Sequence, residues 1–448
     1  MDDLQKAEEK RPLTETVRKL ASGSILRVLN LIAQLVISMA MMPFVVGSLG
    51  DRMYGFWTLA WTIIGYYGLL DVGISGAVSR YLAHAIGIND DKQCNRIINN
   101  SLALYSGVAA LVVCTSIVLG LLASLFVSAP EDAELFCKVI LVLGFNVAIE
   151  FPARVFGGVL TAQLRYDIMS LLKLATLILR TVGILIVLSH GQGVLALSIV
   201  TVLAGIPEKI AYFFLAKQSY PRMHISTAYL SKETVRMLYG YGFYAFLTQV
   251  GDILRLNVDS IVIASFLNLA AVTHYGIATS LVNHFITLIV TATGVLLPVF
   301  SRFEAERNIV RMKKAFFLST KISICLTTFV SFGLIAWGKL FIERWMGPGY
   351  LDAYPCLVIL VTGCTTGLWQ TASVAILFGT SKHKFYAIAN GAEAAANLML
   401  SLLLVRWYGL VGVAIGTMVP MLVVKLLIQP RYVCKVTSMP FKEYVFEM

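Results

Sequence analysis

Arg27, Asn30, Gln34 and Ser38 recur at i, i+3, i+7 and i+11 within one long apolar run. Asp252, Arg255 and Asp259 recur at i, i+3 and i+7 within another, where Thr248 extends the stripe. Helical periodicity puts each set on one face. A third run carries Asn146, Glu150 and Arg154 at i, i+4 and i+8. Asp71 and Arg180 sit midway along others, Glu393 lies beside Asn390 and Asn397, and Asn283 or His284 with Thr287 and Thr291 makes a milder polar face. At mid-bilayer a charged side chain costs roughly 2.5–3.5 kcal/mol on insertion scales, so such residues face a hydrated cavity or a partner. The chemistry on offer is electrostatic. HExxH and GxSxG motifs are absent, and Gly333–Lys339, which resembles the start of a phosphate loop, has Leu340 where Ser or Thr is required.

The elements that must position these residues are membrane helices. The chain has 448 residues, 36 Lys and Arg against 25 Asp and Glu, and a net charge of +11. Charged residues are 14% of the total, hydrophobic residues 58%, and mean hydropathy is +0.79, whereas soluble chains carry about 25% charged residues. This excludes a cytosolic enzyme, a secreted disulfide scaffold and a disordered regulator. The basic excess is no argument for nucleic acid, because cytoplasmic loops of membrane proteins collect Lys and Arg. Seven dispersed cysteines without CxxC spacing indicate neither a metal site nor a disulfide framework. The first apolar run is too long for a cleavable signal peptide.

A spanning helix needs about 20 mostly apolar residues. Twelve runs qualify: Ser22–Gly47, Gly55–Ala77, Ile98–Val127, Leu135–Leu160, Met169–Leu188, Val194–Ala216, Leu238–Phe266, Ala271–Phe300, Ala315–Phe341, Tyr354–Phe378, Tyr386–Val405 and Leu410–Ile428. With both termini in the cytoplasm, 23 Lys and Arg fall in the inner tails and connections and five in the outer ones, as the positive-inside rule requires. The expected division is a basic cytoplasmic tail (1–21), a six-helix lobe (22–216), a cytoplasmic linker (217–236), a second six-helix lobe (237–429) and a cytoplasmic tail (430–448).

The halves repeat. Tyr54-Gly55 is echoed by Tyr275-Gly276, Ser79-Arg80-Tyr81 by Ser301-Arg302-Phe303, Arg165-Tyr166 by Lys384-Phe385 and Gly193-Val194 by Gly412-Val413, at offsets of 219 to 222. An even number of spans separates the copies, so both lobes share one orientation about an axis along the membrane normal. The fold expected is an all-α membrane protein, twelve helices in two pseudo-symmetric lobes around a central cavity. The repeat places Gln34 opposite Arg255 and Ser38 opposite Asp259, so that the first and seventh helices would line a cleft.

The structural alternatives stand beside this. Glu150/Arg154 and Asp252/Arg255 have the spacing of local ion pairs that fix packing. Arg80 and Arg302 lie at helix ends, where they snorkel or line a mouth. His284 reads as a packed, hydrogen-bonded histidine, and Trp57, Trp61, Tyr66 and Tyr67 as interface anchors. The two GxxxG matches, Gly363–Gly367 and Gly412–Gly416, report close helix packing.

The run Leu49-Gly50-Asp51-Arg52-Met53-Tyr54-Gly55-Phe56-Trp57, the stretch Gly68–Tyr81 with Asp71, Gly73, Ser75 and Ser79-Arg80, and Gly409–Ile415 resemble bacterial polysaccharide flippases of the Wzx (O-antigen flippase) type. These belong to the multidrug/oligosaccharidyl-lipid/polysaccharide (MOP) exporter superfamily. The resemblance implies a bacterial inner-membrane flippase of polysaccharide and lipopolysaccharide biosynthesis. Its substrate would be an oligosaccharide on a polyprenyl pyrophosphate carrier, moved from the cytoplasmic to the outer leaflet by alternating access. Arg27 and Arg255, then Arg154 and Arg180, would contact phosphate or acidic sugar through paired N–H donors. Asn30, Gln34, Asn283 and Asn390 would bond sugar hydroxyls. Asp71, Glu150, Asp252 or Asp259 could carry a coupling proton or sodium ion. The 217–236 linker would accommodate the rocking of the lobes. No cofactor, resident metal or nucleic acid is expected; a monomer is, working beside a polysaccharide polymerase or assembly proteins. The alternatives are a multidrug/ion antiporter, whose cleft should be rich in aromatics and acids, and a membrane glycan polymerase or glycosyltransferase, which needs a larger loop than this chain has.

Overall fold

The structure is a computed structural model. It describes residues 2–127, 130–293, 300, 303, 309–379, 384–437 and 439–447; the side chains of 2–24, 241–245, 247–257, 309–310, 445 and 447 lie outside the description. Among the described residues the chain is helical, without strands. Helices long and apolar enough to cross a membrane number eight among these residues, or nine when one bent pair counts as a single span. The chain is a multi-pass membrane protein.

The helices are α1 (Asp2–Leu49), α2 (Asp51–Gly65), α3 (Ile74–Gly87), α4 (Asp91–Leu121), α5 (Pro130–Ala162), α6 (Tyr166–Ser189), α7 (Val194–Ser219), α8 (Lys232–Phe266), α9 (Leu269–Thr293), α10 (Ile309–Trp345), α11 (Ala353–Trp369), α12 (Thr371–Gly379) and α13 (Lys384–Val423). A π-helical turn (Val424–Ile428) and two short helices, α14 (Gln429–Thr437) and α15 (Phe441–Glu447), complete the chain. α13 covers two expected runs, and Gly409 breaks it at φ 55°, ψ −131°, a conformation open to glycine. The tenth run is bent by 43° between α11 and α12.

The second run differs from expectation. A continuous span over Gly55–Ala77 is replaced by α2, a 3₁₀ turn at Tyr66–Asp71 and α3. The break turns on Val72 and Gly73, both at positive φ (47° and 71°). A β-branched residue there is strained, and hydropathy carries no signal of it. The break places Asp71 at the end of the turn, where both carboxylate oxygens are bonded.

The chain divides into two compact units. One comprises 1–50 and 63–246, the other 51–62 and 247–448. The run 217–246 thus groups with the first unit, and Asp51–Thr62 with the second. Within the second, Asp51 accepts from Tyr350 Oη at 2.6 Å and lies 3.6 Å from His274, and its carbonyl accepts from Thr273 at 2.6 Å. Burial beside Asp51 pushes the Tyr350 phenol up to about 12. The last helices of this unit pack Val433, Cys434 and Tyr444 against Phe316, Ile376 and Tyr386.

The stretch expected as a cytoplasmic linker (217–236) is hydrogen-bonded to α4 over much of its length. Asn95 donates to Arg222 O (3.0 Å) and accepts from His224 N (2.7 Å). Asn99 does the same with His224 O and Ser226 N (both 2.8 Å), and Asn100 with Tyr229 O (3.0 Å) and Ser231 N (2.9 Å). Each primary amide has one donor and one acceptor end, so each serves the extended backbone as a neighbouring strand would. Tyr220 Oη and Arg222 both reach Asp91, at 2.6 and 2.9 Å. Residues 220–231 are therefore held to the first unit rather than free to flex.

Candidate functional site

A cavity of about 1060 Å³ lies within the first unit, lined by α1, α3, α5, α6 and α7. Helical spacing explains its walls. α1 contributes Arg27, Asn30 and Gln34 from the stripe seen in sequence, α5 contributes Glu150 and Arg154, and α6 contributes Tyr166, Lys173 and Arg180 at every second turn. α7 adds Glu208, Lys209 and Tyr212, and α3 adds Ser75 and Ser79. Five cations (Arg27, Arg154, Lys173, Arg180 and Lys209) thus line the wall against two carboxylates. At upward of 1000 Å³ it stands at the top of the range for small-molecule sites.

The polar groups hold one another in place. Arg154 Nη2 donates to Glu150 Oε1 at 2.9 Å, and its Nη1 lies 3.7 Å from Asp71 Oδ1. Asp71 is buried, accepting from Ser75 at 2.7 Å and from the Tyr105 hydroxyl. Two carboxylates thus orient one guanidinium, which offsets the cost of keeping Asp71 out of water. Lys209 Nζ donates to Asn146 Oδ1 at 2.8 Å, joining α7 to α5. Gly205 permits this, since a Cβ there would stand 2.9 Å from Lys209 Nζ and 3.5 Å from Asn146 Oδ1. Arg27 lies over the Tyr166 ring, 3.9 Å from its centroid; stacking uses the face of the guanidinium and leaves its N–H edge to other partners. Asn30 donates to Ser170 O at 3.1 Å. Among the described residues Arg180 has no carboxylate within ion-pair distance, and Glu208 is the carboxylate that attracts it.

Of the residues singled out in sequence, Arg27, Asn30, Gln34, Glu150, Arg154 and Arg180 come together here, with Asp71 directly behind Arg154. Glu150 and Arg154 form the local pair their spacing allows and still line the cavity. Asn283 is exposed on α9, in the second unit, and is not among the residues that line this cavity. The side chains of Asp252 and Arg255 lie outside the described residues. Asp259 is 4% exposed in the second unit. Its Oδ2 accepts from Tyr275 Oη at 2.6 Å and from Thr417 Oγ1 at 2.8 Å. Its Oδ1 is buried without a hydrogen-bond partner among the described residues. Thr417 also lies 3.2 Å from Asn397 Oδ1. Elsewhere in that unit Lys425 Nζ lies 3.2 Å from Glu393 and donates to Asn390 at 2.7 Å. The sequence reading passed over Glu208 and Lys209, although charges after Pro207 in the sixth apolar run meet the criterion applied to the others.

Comparison with known proteins places this architecture. A model of the polysaccharide biosynthesis protein family matches residues 54–355. The chain is 20% identical over 425 residues to the "Uncharacterized membrane protein EpsK" of Bacillus subtilis, covering 92% of this chain and 82% of the relative. It is 22% identical over 411 residues to a "Putative O-antigen transporter" of Shigella flexneri, covering 88% and 93%. An inward-facing multidrug resistance MATE family transporter of the MOP superfamily superposes with TM-score 0.78 at 18% identity, over 92% of this chain and 99% of that one. The lipid II flippase MurJ, inward closed, superposes with TM-score 0.72 at 15% identity, over 95% and 89%. A MATE-like helical fold, a family match over most of the chain and similarity to an O-antigen transporter agree with the resemblance carried by Leu49–Tyr81: the chain belongs to the polysaccharide biosynthesis protein family.

Proposed function

We propose that this chain flips a lipid-linked oligosaccharide, on a polyprenyl pyrophosphate carrier, from the cytoplasmic to the outer leaflet of a bacterial inner membrane. The observation that carries the reading is the wall of five cations against two carboxylates inside an apolar helical protein. A diphosphate and its sugars cannot cross hydrocarbon unaided. Guanidinium forks meet phosphate oxygens two at a time, and Asn30, Gln34, Ser75 and Ser79 offer partners for hydroxyls. The same positive excess disfavours organic cations, the cargo of the antiporter alternative. In this reading the chain has twelve spans in two lobes with both termini cytoplasmic, works as a monomer without a cofactor, and hands its product to a polymerase or assembly proteins.

The driving force has two candidate sources. Outward movement of two negative charges at 100 mV, inside negative, yields about 4.6 kcal/mol. Asp259, buried among the Tyr275 and Thr417 hydroxyls with one oxygen lacking a hydrogen-bond partner among the described residues, is the best-placed group for a coupling proton or sodium ion. Asp71, pinned by Arg154, Tyr105 and Ser75, is less available.

The test is complementation of a deletion strain, with lipid-linked intermediates followed on the cytoplasmic face. Arg27→Ala and Arg180→Ala should each let intermediates accumulate at normal protein levels in the membrane. Arg154→Ala is a poorer probe, because it strands Asp71. Normal export by both Arg27→Ala and Arg180→Ala would overturn the assignment; drug sensitivity without accumulation would favour the antiporter.

A further inference from the structure

The two helices that carry Lys209 and Asn146 also enclose a second, smaller hollow. Leu141, Val142 and Phe145 of α5 and Ile199, Val202 and Leu203 of α7 line about 340 Å³ of apolar space. It is open to the outside: Phe145 and Leu203 are more than half exposed. Its position relative to the cavity follows from helix geometry. Val142 lies one turn, about 6 Å, from Asn146 along α5, and Val202 two turns, about 10 Å, from Lys209 on the same face of α7. The Lys209–Asn146 hydrogen bond therefore stands between the cationic cavity and the apolar hollow, toward the ends of α5 and α7 that begin at Pro130 and Val194. Gly205 provides the cut-out that lets it form.

We infer that this α5–α7 groove seats the carrier's polyisoprenoid chain while the diphosphate lies in the cavity. The inference rests on the proposed function, since it takes the head group to be held there. Its support is proximity: an anion-binding cavity and an apolar groove share one helix pair, with Val142 and Val202 within two turns of the Asn146–Lys209 contact, the arrangement an amphiphile with a charged head and a branched hydrocarbon tail requires. Lys209, at the junction, would face the phosphate nearer the lipid.

Two probes separate head from tail: a long-chain polyprenyl diphosphate sugar and its short, two-isoprene analogue, both binding the full chain in nanodiscs. Leu203→Trp fills the groove and should weaken the long-chain probe at least tenfold while leaving the analogue unchanged. Leu203→Ala, which only empties space on a lipid-facing surface, should weaken the long-chain probe less. A photo-crosslinker at position 145 should capture the long-chain probe in competition with phospholipid. Equal loss of both probes in Leu203→Trp, no loss of either, or capture of phospholipid alone would overturn the groove assignment. Failure of the wild-type chain to bind even the short analogue would overturn the head-group reading and the groove with it.

Discussion

Replacing Asn99 with alanine should loosen the strap over residues 222–231. The side chain makes two hydrogen bonds to it, one to His224 O and one from Ser226 N, both 2.8 Å. A net 0.5–1.5 kcal/mol for each gives about 1–3 kcal/mol for the pair, so the open population should rise about 5- to 150-fold. Hydrogen–deuterium exchange with mass spectrometry, on protein in nanodiscs, reads that change directly: the Ser226 amide should exchange faster by the same factor, while amides in the middle of α5 keep their rates. Asn99→Asp, which keeps the acceptor for Ser226 but turns a buried carboxylate oxygen toward the His224 carbonyl, should loosen the strap at least as much. Unchanged exchange at 224–226 in Asn99→Ala, or exchange already near the unprotected rate in the unsubstituted chain, would refute the argument.

Other consequences can be measured independently. Gly55→Ala would put a Cβ 1.7 Å from Leu269 O; overpacking of this kind costs about 1–3 kcal/mol or more, so the melting temperature of the purified protein should fall sharply, and an unchanged value would contradict that close approach. The Tyr350 phenol is raised from 10.0 to about 12 in the folded chain, so its contribution to stability is complete below pH 10 and is lost as pH climbs toward 12. Tyr350→Phe should flatten alkaline unfolding in that window, and an identical profile would show that the phenol carries none of it. Asp259→Asn should fold and reach the membrane yet lose the dependence of export on an ion gradient; unchanged dependence on both proton and sodium gradients would remove Asp259 from coupling.

Much of the cavity was legible because hydrocarbon makes polar residues conspicuous. The α1 stripe and the Glu150/Arg154 pair could be read from spacing alone, and Arg180 from its isolation in an apolar run. Glu208 and Lys209 satisfied the same criterion and were passed over. What could not be read depends on backbone geometry or distant pairing. Apolar composition continues straight through Tyr66–Gly73, so the break that positions Asp71 is invisible to hydropathy. The Asn95, Asn99 and Asn100 strap joins side chains on one element to main chain more than 120 positions later, and main-chain partners leave no residue signature. Tyr275 stands out in sequence only as a landmark of the repeat, and its role as hydroxyl donor to Asp259 emerges only when α8 and α9 pack.

The assignment of Asp51–Thr62 to the second unit bears on how this molecule could be taken apart. The polypeptide enters that unit early, returns at Ile63 and re-enters near Leu247, and Asp51 finds its partners at Thr273, His274 and Tyr350. Severing the main chain between α7 and α8 would not yield two self-sufficient fragments: the amino-terminal piece would carry an orphaned arm, and the carboxyl-terminal piece would lack a structural strut. The halves are interlaced by their connectivity, whatever symmetry their ancestry left in the sequence.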